Sequence, residues 1–147
     1  MAALSDYLEN KLIDAVFRAV PYTPPATMYV GLFTTNTNDA NLGGIEVTGG
    51  NYSRAGLSSS MTNWAGTQGA GSTTASSGTS GTTSNNTTIT FPTPSAAWGT
   101  ITGFGVFDGP TGGNLLFYSS LTANKVVGAT DPAPSFAAGQ LTFQLDN

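Results

Sequence analysis

As a pattern of apolar and polar positions, the chain divides into one helical stretch and a long series of short strands. Residues 5–20 carry the helical pattern. Leu8, Leu12, Ala15, Val16 and Ala19 recur at helical spacing, and Ile13, Phe17 and Val20 widen the apolar face. Ser5 suits the N-cap, Asp6 and Glu9 put negative charge in the first turn, and Asp14 and Arg18 are spaced as an i,i+4 pair. Pro21 sets the expected end, because the residue before a proline is pushed out of the α region. The pattern predicts a helix about 24 Å long.

Beyond Pro21 the period changes to two. Thr27–Thr34 (TMYVGLFT) alternates and is rich in strand formers. Further short strands are expected at residues 45–47, 52–57, 87–91, 99–108, 114–121 and 141–145, with a shorter one at 125–127. Asp108–Gly113 is dense in turn residues, which predicts a hairpin between its flanking strands. The expectation is a mainly β chain, a single domain over residues 1–147. Its architecture would be an antiparallel β-sandwich or jelly-roll-like barrel with one N-terminal α-helix, its strands drawn from 27–57 and 87–145. Most of the aromatic residues, among them Phe33, Phe91, Trp98, Phe104, Phe107 and Phe143, fall in or beside strands and read as core.

Residues 58–86 break the alternation. They are almost all Ser, Thr, Gly, Ala and Asn, interrupted only by Met61, Trp64 and Gln68. Such a segment buries little apolar surface to offset its ordering entropy, so it is expected to be a long mobile loop that takes its order from a neighbouring subunit. A Trp in that setting suits a partner interface better than a core. Met61 and Trp64 of the loop, with Tyr7, Leu8, Leu12 and Phe17 of the helix, form the candidate set of partner contacts.

Composition then removes most chemistry. The 147 residues are enough for one domain, and 8% are charged, against about 25% in an ordinary soluble domain. With no His and no Cys, the Ser-His-Asp and Cys-His machineries, ordinary zinc sites, blue-copper sites and disulfides are all excluded. No cofactor is expected. The net charge is −4, and Lys11, Arg18, Arg54 and Lys125 are too few and too scattered to follow a phosphate backbone, so no nucleic acid partner is expected. No apolar run approaches the 18 or so residues of a membrane span, and the N-terminus lacks the pattern of a secretory signal. The expectation is therefore no membrane partner, and synthesis in the cytoplasm.

Two clusters invite a chemical reading. Asn36, Asn38, Asp39 and Asn41 precede Gly43-Gly44 but fit no register of a calcium loop, and they read as turn residues. Glycoside hydrolysis needs only a carboxylate pair, and among the eight acids Glu46 with Asp108 or Asp131 is the plausible couple. No spacing supports it. Asp146 sits at the terminus, and the remaining acids read as helix or turn residues. The chain reads as a non-enzyme.

A resemblance rests on longer blocks. Leu4–Leu12 (LSDYLENKL), Pro25–Thr34, Gly49–Arg54 (GGNYSR), Phe91-Pro92, Trp98–Asp108, Gly113–Leu116 and Phe136–Leu141 together resemble a family of small virion structural proteins of tailed bacteriophages, often labelled tail fibre proteins. The blocks cover most of the chain outside residues 58–86. The resemblance implies a structural virion component, made in the bacterial host, and supplies no active site. The compact pattern lacks the heptads or repeats of a fibre shaft. The expectation is accordingly a capsid cement or decoration protein first, then a tail or tail-fibre-associated piece, and only distantly a carbohydrate-binding or glycan-cleaving module. The expected partners are the major capsid protein or other virion proteins, with many copies or a homo-oligomer on the particle.

Overall fold

The computed structural model describes residues 2–145. Ten strands and one helix run in the order β1 (Ala3–Leu4), α1 (Asp6–Phe17), β2 (Thr27–Thr35), β3 (Ile45–Glu46), β4 (Ala55–Ser58), β5 (Thr82–Ser84), β6 (Ile89–Thr90), β7 (Gly99–Phe107), β8 (Leu115–Val127), β9 (Ser135–Phe136) and β10 (Thr142–Gln144). Six of the strands form one antiparallel sheet in the order β1-β8-β7-β2-β3, with β4 sharing the outer edge of β2. The other four form two short antiparallel ladders, β5 with β10 and β6 with β9. The fold is mainly β, antiparallel and a single domain, as the alternation predicts. The second layer consists of these two ladders and their loops rather than a second full sheet.

Alternation along the central strands explains where the core lies. Val30 and Leu32 of β2 and Ile101, Phe104 and Val106 of β7 point to one face, where they meet Ile89, Phe91, Leu141 and Phe143 of the second layer. Ile101 and Phe104 are three residues apart and would face opposite ways in a regular strand. A register shift between Ile101 and Gly103 turns both inward. The other face carries a smaller cluster of Phe33, Phe107 and Leu115, with Tyr29 and Tyr118 packed against it. Gly31 and Gly105 are paired across β2 and β7 beneath that cluster. A Cβ on Gly105 would lie 2.8 Å from both Phe33 Cε2 and Leu115 Cδ1, so bare backbone is what lets these side chains lie flat on the sheet.

The helix is shorter than its pattern predicts, about 18 Å over twelve residues. It ends before Pro21 because Ala19 adopts a left-handed φ of 56°, and the N–H groups of Arg18 and Val20 both donate to the Asp14 carbonyl. At its start, the Ser5 hydroxyl accepts from the Leu8 N–H at 3.2 Å and also donates to the Leu115 carbonyl, pinning the helix to β8. Ser5→Ala is therefore expected to cost about 1–2 kcal/mol, read as a lower urea midpoint at unchanged slope. Asp14 and Arg18 pair at 2.9 Å as their spacing predicts.

Other differences follow the same logic. The strands expected at 114–121 and 125–127 fuse into the single β8. β1, β5 and β9 are too short and too polar or isolated for alternation to reveal. Residues 58–86 contain β5 and hold themselves through hydrogen bonds within the chain. Ser72 Oγ accepts from the Gly66 N–H at 2.8 Å and donates to the Gly69 carbonyl at 2.7 Å. Asn86 spans Gly71 N–H and the Ser72 carbonyl, and Gly78 N–H reaches Thr67 Oγ1 at 3.0 Å. Asp146 lies outside the described residues.

Candidate functional site

The acidic and basic side chains are the first place to look for chemistry, and the structure engages Arg54, Glu46, Asp108 and Asp131 in the fold. Arg54 enters from the start of β4 with its side chain only 7% exposed. Its Nε and Nη2 donate to the two oxygens of Glu46 at 2.8 Å each, and its Nη1 donates to the carbonyls of Gly109 and Gly112 at 2.9 and 2.8 Å. The guanidinium lies 3.4 Å from the centre of the Phe107 ring. Tyr52 donates its hydroxyl to Glu46 at 2.9 Å and accepts the Leu32 N–H at 2.8 Å. This cluster ties β2, β3 and the β7–β8 turn together and leaves no charge free for a ligand.

Sequence reading missed it. The available signal was that Arg54 stands inside the strand-forming block expected at 52–57. The carboxylate couple considered from sequence is not set up as an acid–base pair. Glu46 is bound to Arg54 and Tyr52, Asp108 accepts from the Asn114 N–H and amide at 2.7 Å, and Asp131 accepts from the Gly128 N–H at 2.8 Å. Asn38 and Asp39 cap their own turn, with Asn41 at a φ of 58°. Among the described residues no group of three His, Cys, Asp or Glu side chains could hold a metal ion.

Burial of the Tyr52 phenol, and secondarily the charge of Glu46, raises its pKa well above the usual 10. Burial raises Tyr22 and Tyr118 in the same direction. Each group holds its proton more tightly folded than unfolded. The associated stability is fully present below the unfolded value near 10 and is lost as pH rises above it. The urea midpoint should fall as pH is raised past 10, and Tyr52→Phe should flatten that decline.

What remains is surface. The helix presents two apolar stripes, and the structure uses one. Leu8 is buried within the chain, while Tyr7 and Leu12 are half-buried. Ile13, Val16, Phe17 and Val20 are exposed by 52, 70, 81 and 46%. On the opposite face of the main sheet, Met61 and Trp64 line a cavity of about 440 Å³ with Met28, Phe117, Phe143 and Ala75. The hydroxyls around it are occupied: Ser59 donates to the Pro25 carbonyl, Thr83 to the Ala65 carbonyl, and Ser76 accepts the Thr67 N–H. The Trp64 ring stands 6.0 Å from Phe143, and its buried indole N–H has no hydrogen-bond partner among the described residues. Of the six residues proposed from sequence, the structure thus brings Met61 and Trp64 together at one cavity and leaves Phe17 bare on the helix.

The exposed helix stripe and this cavity are apolar surfaces that the fold leaves uncovered among the described residues. A scan against protein-family models matches residues 3–144 to the podophage GP4 fiber I protein gp80. A search of curated proteins finds no match. The family match spans nearly the whole chain, including the polar segment that interrupts the sequence resemblance. The chain belongs to the podophage GP4 fiber I protein gp80 family and is a bacteriophage virion structural protein.

Proposed function

We propose that this chain is a non-catalytic, fibre-associated subunit of the phage tail. The observation that carries the reading is the match over residues 3–144 to a family described as a fiber protein. The fold supports a particular version of it. A domain with no heptads or β-helical coils among its described residues suits a module attached to a fibre or its base better than a length of shaft. Compactness also suits a capsid decoration protein, the role ranked first from sequence, and the family description moves the fibre ahead of it. A glycan-cleaving role draws no support from Glu46, Asp108 and Asp131, each already hydrogen-bonded within the fold.

Copy number tests the proposal. On a quantitative gel of purified virions, a fibre-associated subunit is present at a small fraction of the major capsid protein, and a decoration subunit in fixed proportion to it. The nature of the attachment is testable on the same particles. Arg54 is already paired and Arg18 is held by Asp14, so few ion pairs remain for docking. At 1 M NaCl the Debye length is about 3 Å, and contacts between exposed charges weaken sharply. The protein is expected to stay on virions through that wash and to leave in mild guanidinium. Complete release by salt would show that an acidic face on a basic partner holds it.

A further inference from the structure

Two apolar features among the described residues are left uncovered and complement each other. One is the exposed stripe Ile13, Val16 and Phe17 at the C-terminal end of α1, with Val20 beyond it. The other is the apolar cavity walled by Met28, Met61, Trp64, Phe117 and Phe143. We propose that Phe17 of one copy, flanked by Ile13 and Val16, seats in this cavity on a second copy.

Size and chemistry fit. A cavity of roughly 150 Å³ is enough to take a benzene ring. The 440 Å³ here holds an aromatic ring together with the aliphatic side chains beside it. The rim hydroxyls of Ser59, Ser76 and Thr83 already serve backbone groups of the same chain, which favours an apolar side chain over a sugar or other polyol. Neither surface repels the other. The charges nearest the stripe, Asp14 and Arg18, neutralise each other at 2.9 Å, and the cavity's lining carries no charge.

Position makes the occupant a second copy. Ser5 N–H donates to the Leu116 carbonyl, and Asp6 and Tyr7 at the start of α1 border one groove with Leu115, which packs with Phe33 and Phe107 on the Tyr118 side of β8. The cavity is lined by Phe117, the neighbour that faces the other way. The helix therefore cannot fill the cavity of its own chain, and every copy offers one of each. Such a contact is heterologous: it closes into a ring or runs on as an open filament, depending on the rotation between copies. It is independent of where in the virion the protein sits.

The test is sedimentation velocity on the full chain up to about 1 mM, where even a contact of millimolar affinity is populated. Wild type is expected to self-associate with concentration. Phe17→Ser and Met61→Glu, both at exposed positions, are each expected to weaken association at least tenfold, with melting temperatures within about 2 °C of wild type. Phe17→Ser keeps an intact cavity and Met61→Glu keeps an intact helix. An equimolar mixture should therefore form a complex of one copy of each that grows no further. A monomeric wild type, a Met61→Glu variant that associates as wild type does, or a mixture that stays monomeric would each overturn the proposal.

Discussion

Asn85→Asp is expected to unfold the second layer of the domain, lowering stability by about 4 kcal/mol or more. Asn85 has no exposed surface. Its amide nitrogen donates to the carbonyls of Thr87 and Ala137, each at 2.9 Å, and its side-chain oxygen accepts the Leu141 N–H at 2.9 Å. Its own backbone bonds Leu141 and Gly139. One side chain thus joins the end of β5 to the segment between β9 and β10. Aspartate matches asparagine in shape but points an oxygen at two carbonyls where a donor stood, in a position with no exposure to solvent. Denaturation followed by circular dichroism should show a melting temperature lower by about 10 °C or more. Asn85→Ser, which removes donors without adding charge, should fall between Asn85→Asp and wild type. An Asn85→Asp protein as stable as wild type would show that this layer is held elsewhere.

Arg54→Ala is expected to cost about 3–5 kcal/mol. The substitution strips Glu46 of its bidentate partner, leaves two carbonyls of the β7–β8 turn without donors, and uncovers the Phe107 ring. Most of the loss comes from the half-buried Glu46 carboxylate left without its cation, so Arg54→Ala with Glu46→Gln should be less damaging than Arg54→Ala alone. Arg54→Lys should recover little. A lysine cannot reach both Glu46 oxygens and both turn carbonyls with one ammonium, nor stack a flat face on the ring. Urea unfolding of the three variants separates these effects, and a lysine variant equal to wild type would reduce the cluster to a simple charge pair.

The elements that sequence revealed are those whose residues answer to one constraint. β2 and β7 alternate against a core on each face, and Asp108–Gly113 is a turn whose Asp108 caps the next strand, so both could be read locally. The helix was legible as a helix, but its inward face was not. Leu8–Leu12–Ala15 and Ile13–Val16–Phe17 are both apolar stripes, and only the docking of Ser5 on β8 decides which one is buried. For residues 58–86 composition records missing apolar surface and says nothing of the hydroxyls and amides that serve backbone groups six to fifteen residues away. Asn85 and Arg54 act through partners more than fifty residues distant, Ala137 and Gly109 among them, and no local pattern encodes such pairings. The candidate contacts were legible only as residue types: Trp64 and Met61 in a polar loop stood out, while the cavity they line needed Phe117 and Phe143 from the far end of the chain.

The proposed place of this β domain is the fibre apparatus of the virion. The most direct measurement is its location by density in intact particles, using a virion whose copy of the protein carries a small fused marker domain. The expected result is marker density at the tail or its fibres, at a few positions per particle. Marker density arrayed over the shell in step with the capsid lattice would contradict the claim.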